Sequence, residues 1–399
     1  MNMIPIEEAE EIVLRESGHI GTEAAELRGV VNRILSEEIR ADMDVPPFDR
    51  SQMDGFAVRS EDTQDAPVNL NIVGESVAGR GWHSEMMPGE AVRIMTGASV
   101  PTGADAVQKV ELTEETDGIV TIQKATAPGQ NIVGKAQEIA RGEVIFKIGE
   151  IVTENMVATL ASFGYKSVAV SKRPRVKILA TGSEIVDISE TPGRDQIRNS
   201  NSWMLNALAG KYADVEMLPI ATDDLTGIKK TIAEAAGKTD CLIISGGVSV
   251  GDYDFTKPAL RELGAEIFFE RVSLKPGKPT VFAKLGDTLI FGLPGNPVST
   301  AVTFFFFVRK ALLNIQGANE TGLKKGFAKL SHEIKGVSGR DSLLPVSLST
   351  NKKGKLLIET LRFSGSSNYI RFAKANAIVF VREDQILKKG DTAVIYFLP

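Results

Sequence analysis

From residue 174 onward the chain repeats one pattern: a short apolar run, a polar turn, then a helical stretch. RVKILA leads through TGSE to SWMLNALAGKY, and VEMLPI leads through ATDD to LTGIKKTIAEAA. CLIIS leads through SGGVSVGDYDF to TKPALREL, and TLIFGL leads through PGNP to VSTAVTFFFFVRKALL. Runs with little polar alternation have no face to offer water. They predict strands of a parallel sheet covered by helices on both sides. In open sheets of this kind, ligands bind outside the carboxyl ends of the strands.

The residues delivered to that edge are chemically mixed. The first strand gives Glu184, and the next gives Asp223 and Asp224. The third gives Gly246, Gly247, Ser249, Asp252 and Asp254. Lys275 and Lys278 follow in KPGKP, and the last strand gives PGNP with Pro294 and Pro297. Each piece has an ordinary explanation alone. Asp223 or Asp224 can cap a helix, and so can Asn296 ahead of Pro297. The glycines can serve a tight turn, and KPGK can be an exposed one. Their convergence points instead to a bound phosphate. Bare glycine amides and lysines attract it, while carboxylates repel it. A divalent ion inverts the local sign and lets both approach, and an ion held by carboxylates points to magnesium. Phosphoryl cleavage would then be metal-assisted.

Composition narrows the class. At 399 residues the chain predicts two to four domains. A net charge of −5 gives no global basic surface for nucleic acid. The single cysteine, Cys241, sits in an apolar run and reads as a buried strand residue in a reducing compartment. His19, His83 and His332 are scattered, which argues against zinc. The acidic N-terminal stretch has no apolar signal core, and TAVTFFFFV is shorter than a membrane span, so a cytoplasmic protein is expected. In a covered sheet the four phenylalanines read as part of a buried helix. Residues 1–44 and 143–173 read as a discontinuous helical and linking domain, interrupted by a β-rich insertion at 45–142. The α/β domain spans 174–317, and a C-terminal β module spans 318–399.

SGGVSVGDYDFTK, KPGKP and GLPGNPVS, in that order, resemble the molybdopterin molybdotransferase family. PPFDRSQMDGFAV (46–58), RIMTGASVPTGADAV (93–107) and ATGSEIV (180–186) are also similar to it. The resemblance covers nearly the whole chain. It implies a multidomain α/β plus β protein with a molybdopterin-binding α/β domain and a C-terminal β-barrel-like domain. It implies a homodimer that converts adenylylated molybdopterin and molybdate to molybdenum cofactor and AMP. Its partners would be the preceding adenylyltransferase and downstream cofactor-handling proteins. Asp254 would serve magnesium-dependent adenylate cleavage, with Asp223 and Glu184 in the same site. Lys275, Lys278, Arg340 and Ser366 would hold molybdate. Asp54 and Thr96 would act across the dimer, and Pro294 and Pro297 would shape the site loop.

The chain also departs from the family pattern. Val133, Gly134 and Ala136 replace an expected arginine, an arginine or proline, and a glycine. Glu138 and Asn199 stand where aspartates are usual. Two alternatives to an active molybdotransferase follow: an enzyme using tungstate, and a non-catalytic molybdopterin carrier or scaffold.

Overall fold

The computed structural model describes residues 3–221, 224–248, 254–361 and 365–399. They divide into two compact units. One comprises Met1–Glu37, Ile148–Val157 and Ser167–Pro399; the other comprises Glu38–Lys147 and Ala158–Lys166.

The first unit is built on a six-stranded sheet. Its spatial order is Asp214–Met217, Arg175–Ala180, Cys241–Ser245, Thr288–Leu293, Val281–Leu285, Glu266–Phe269. The first four strands run parallel, as their apolar runs predict. The last two extend the sheet antiparallel, through a two-residue turn at Gly286 and Asp287. Gly286 has φ 58°, the left-handed value such a hairpin turn requires. Val281–Leu285 escaped the sequence reading because half-buried Lys284 and Leu285 end it without a clear alternation.

Alternate residues of each strand face opposite sides, so the sheet feeds two cores. Val176, Ile178, Cys241, Ile243 and Phe291 pack with Leu205, Ala301, Phe304 and the N-terminal helix Ile6–Glu16. Leu179, Leu242, Ile244 and Ile290 pack with Ile228, Ile232, Ala259 and Leu260. Cys241 is wholly buried, and burial pushes its thiol pKa up, so it is a packing residue.

The helix Pro297–Ile315 is apolar and long enough to cross a membrane, but 89% of its apolar window is buried inside the fold. Phe304–Val308 forms a π-helical turn within it, and all four phenylalanines are buried. Phe306 meets Tyr396 edge-on at 5.0 Å between ring centroids. Tyr396 belongs to a closed five-stranded barrel of Lys325–Leu330, Asp341–Thr350, Leu356–Thr360, Ala377–Val381 and Thr392–Phe397. Val346, Ile358, Val379 and Ile395 fill it. The short strand Leu274–Lys275 joins the barrel strand Asp341–Thr350, with Leu274 opposite Asp341 and Lys275 opposite Ser342.

The second unit holds its own six-stranded sheet, ordered Ala106–Lys109, Gly55–Val58, Glu90–Ile94, Val68–Ser76, Ile119–Ile122, Thr113–Thr116. All pairings are antiparallel except Val68–Ser76 with Glu90–Ile94. Phe56, Leu70, Val120 and Ile122 cover one face; Ala57, Met86, Val92 and Val107 cover the other.

Candidate active site

Strand register sets the site. Ala180 lies opposite Ser245, and Ser245 opposite Leu293, so three parallel strands end at one level. The ladder runs one step into the loops: Thr181 N–H donates to the Ser245 carbonyl at 3.1 Å, and Gly246 N–H to the Leu293 carbonyl at 3.1 Å. Gly246 and Gly247 then turn at φ 95° and 63°. A Cβ on Gly246 would stand 2.6 Å from the Thr181 carbonyl oxygen. One on Gly247 would stand 2.8 Å from Thr256 Oγ1 and 2.9 Å from Thr181 Oγ1. Backbone conformation and space therefore both demand glycine here.

The three loops enclose a cleft of about 910 Å³. Its lining includes Thr181, Glu184, Asn201, Gly246, Gly247, Asp254, Pro294, Pro297 and Tyr369. Glu184 folds back over its own turn: a Cβ on Gly182 would meet its carboxylate at 2.6 Å. Pro297 opens its helix, but Asn296 makes no side-chain cap bond. Thr300 Oγ1 instead donates to the Pro294 carbonyl at 2.5 Å and closes that loop. Asp224 caps the helix Leu225–Ala235 by accepting from Gly227 N–H at 2.6 Å, one of the two roles its position allowed. Asp223, Ser249 and Asp252 lie outside the described residues.

The other predicted residues stand outside that lining. Of KPGKP, Pro279 reaches the cleft, whereas Lys275 and Lys278 do not line it. Arg340 closes a tight turn with Val337 and directly precedes the strand pairing in which Lys275 lies opposite Ser342. Ser366 accepts through its carbonyl from Val298 N–H at 3.1 Å, which ties it to the helix that Pro297 opens. In the second unit, Asp54 accepts from both the N–H and the hydroxyl of Thr96, each at 2.7 Å. Those two bonds hold the Asp54 carboxyl below the usual carboxylate range, the backbone one contributing most.

Sequence reading missed Thr181, Asn201 and Tyr369. Asn201 Nδ2 donates to Ser245 Oγ at 2.9 Å and to the Gly295 carbonyl at 2.7 Å, bridging two loops. Asn201 Oδ1 and the hydroxyls of Thr181 and Thr256 are buried without a hydrogen-bond partner among the described residues. Buried polar atoms are ordinarily paired, which makes these three an exception among the loops around the cleft.

No group of three or more His, Cys, Asp or Glu is assembled among the described residues. Glu184 and Asp254 do share the cleft. Two carboxylates completed by substrate phosphate oxygens and water are a donor set that suits magnesium.

Three family profiles match along the chain: the MoeA N-terminal region (domain I and II) over residues 4–164, a probable molybdopterin binding domain over 177–314, and the MoeA C-terminal region (domain IV) over 328–398. The molybdopterin molybdenumtransferase of Bacillus subtilis is 37% identical over 395 residues, covering 95% of this chain and 90% of its own. That of Staphylococcus aureus strain MSSA476 is 34% identical over 385 residues, covering 95% and 92%. The chain belongs to the molybdopterin molybdenumtransferase family. The crystal structure of the MoeA molybdopterin biosynthesis protein of Pyrococcus horikoshii OT3 superposes with a TM-score of 0.85 at 29% identity, covering 100% of both chains.

The departures from the molybdotransferase pattern have local accounts. Asn199 caps the helix Ser200–Ala209 by accepting from Ser202 N–H at 3.1 Å, work an aspartate would do equally well. Glu138 pairs with Arg50 at 2.9 Å. Lys135 reaches Asp44 at 3.3 Å, and Asp44 is held below its usual range first by the Arg141 N–H and then by Lys135. Ala136, where the family commonly has glycine, sits at φ 61°. Nothing in the structure explains the choice of Val133 or Gly134.

Proposed function

We propose that this chain inserts molybdenum into molybdopterin, taking adenylylated molybdopterin and molybdate and releasing AMP. The observation that carries the reading is the in-register trio of loops, which places Glu184 and Asp254 on one cleft with the open Gly246–Gly247 backbone. Glycine amides without side chains let phosphate oxygens approach closely. Asp254 and Asp223, with Glu184, would hold magnesium. Bound there, the ion would neutralise charge that develops on the phosphate as the adenylate leaves. Asp254 and Glu184 would act on the phosphate only through that ion, and Pro294 and Pro297 would fix the loop beside it.

Lys275, Lys278, Arg340 and Ser366 would hold the tetrahedral oxyanion through charge and hydrogen-bond donors. Asp54 and Thr96, locked to each other, would act at the cleft of a partner subunit in a homodimer. The preceding adenylyltransferase would supply the substrate, and the cytoplasm is the compartment that fits a buried, reduced Cys241.

Purified protein incubated with adenylylated molybdopterin, magnesium and molybdate should release AMP and yield molybdenum-loaded dithiolene. A parallel reaction with tungstate tests the choice of oxyanion. Tight pterin binding with no turnover on either oxyanion would overturn the proposal in favour of a carrier.

A further inference from the structure

The mouth of the cleft carries apolar surface that the proposed chemistry leaves unused. Tyr369 lines the cleft yet is 55% exposed, and Ile197 lines it at 58% exposure. Among the described residues, the Tyr369 ring stacks on no other aromatic ring. Its backbone is nonetheless firmly placed. Asn368 caps the turn Tyr369–Phe372 by accepting from Arg371 N–H at 3.2 Å. Tyr369 N–H donates to the Ser367 carbonyl at 2.9 Å, and the adjoining Ser366 is bonded to Val298 N–H. The Tyr369 backbone is thus fixed at the lip of the cleft, in an exposed position.

We infer that Tyr369 is a positioning residue that stacks on the planar heteroaromatic ring of the substrate, either its adenine or its pterin. The inference rests on the function proposed above. Both rings are flat and both carry amine donor edges. An aromatic face adds affinity for such a ring with little rotamer cost. Ring and phosphate would then be gripped separately: the ring by Tyr369 at the mouth, the phosphate by the glycine turn at the floor.

Calorimetric titration of the full chain with AMP, a free pterin and ribose 5-phosphate tests this without turnover or molybdate. Tyr369→Ala should weaken one of the two ring-bearing probes by roughly tenfold, the size of a lost base–aromatic stack. Ribose 5-phosphate should bind unchanged, and Tyr369→Phe should retain wild-type affinity for all three. Selective loss for AMP assigns the adenine; selective loss for the pterin assigns that ring. The inference is overturned if Tyr369→Ala binds every probe as wild type does, or weakens all three alike. It is equally overturned if the wild type binds neither ring-bearing probe more tightly than ribose 5-phosphate. Because only binding is read, a chain inactive in molybdenum insertion could still show the ring effect, so the two proposals can fail separately.

Discussion

Two turns in this molecule demand left-handed backbone and meet the demand differently. Gly246 and Gly247, at φ 95° and 63°, have both the conformation and the close neighbours that exclude a side chain. Ala136, at φ 61°, carries a Cβ in the same region of conformational space, where the family commonly has glycine. The first turn abuts the Thr181 carbonyl and two hydroxyls; the second forms part of a surface segment stitched by Arg50–Glu138 and Asp44–Lys135 ion pairs. A glycine can thus be required by torsion alone or by torsion and space together. Only the second kind is irreplaceable. The departures at 133–138 accordingly sit where the fold absorbs them.

The comparison can be broken most directly at the crowded turn. Gly246→Ala should cost about 3 kcal/mol, from left-handed strain plus the clash with Thr181, and should abolish AMP release. Denaturation midpoints and the AMP assay check it, and wild-type behaviour in both would refute the double requirement. Next in size, Asp254→Ala should slow adenylate cleavage by roughly 10²-fold while leaving the unfolding transition in place. Unchanged AMP release would remove Asp254 from the chemistry.

The surface turn should respond oppositely. Ala136→Gly should stabilise the protein by about 1 kcal/mol or less, relief of strain being partly offset by greater freedom of the unfolded chain. A lower denaturation midpoint would show that Ala136 carries more than strain. The smallest effect concerns pH. Because Asp54 is depressed in the folded state, its contribution is complete above the ordinary value of 3.8. It is lost as pH falls through the lower folded value. Asp54→Asn should therefore destabilise at pH 7, and the difference from wild type should shrink in strong acid. A difference constant from pH 7 down to pH 2 would exclude the Thr96 bonds as its source. Sedimentation gives a further check, with a homodimer expected at working concentration.

Much of the scaffold was legible because burial writes itself into composition. CLIIS and TLIFGL have no polar face, and the chain places both inside the sheet with helices on each side. Asp224 was readable as a cap because capping is local. Asn201 was not, since its meaning lies in a bond to Gly295, 94 residues away. Tyr369 hid for the same reason, in a polar segment tied to the cleft by the bond between Ser366 and Val298, 68 residues away. The strand Val281–Leu285 was missed because Lys284 and Leu285 blur its alternation, and only its pairing with Thr288–Leu293 reveals it.

The π-helical turn at Phe304–Val308 has a consequence for helical phase. An α-helix advances about 100° per residue, so accommodating one extra residue in a wide turn offsets everything after it by that angle. Downstream of the wide turn, Arg309 Nε donates to the Tyr212 hydroxyl at 3.0 Å, and Asn314 Nδ2 donates to the carbonyls of Leu14 and Ser17 at 2.9 Å each. A uniform α-helix over the same sequence would aim those two side chains about 100° away from their partners. The wide turn thus works as a phase adjuster: its upstream half is clocked to the Pro294–Pro297 loop, its downstream half to the N-terminal helix.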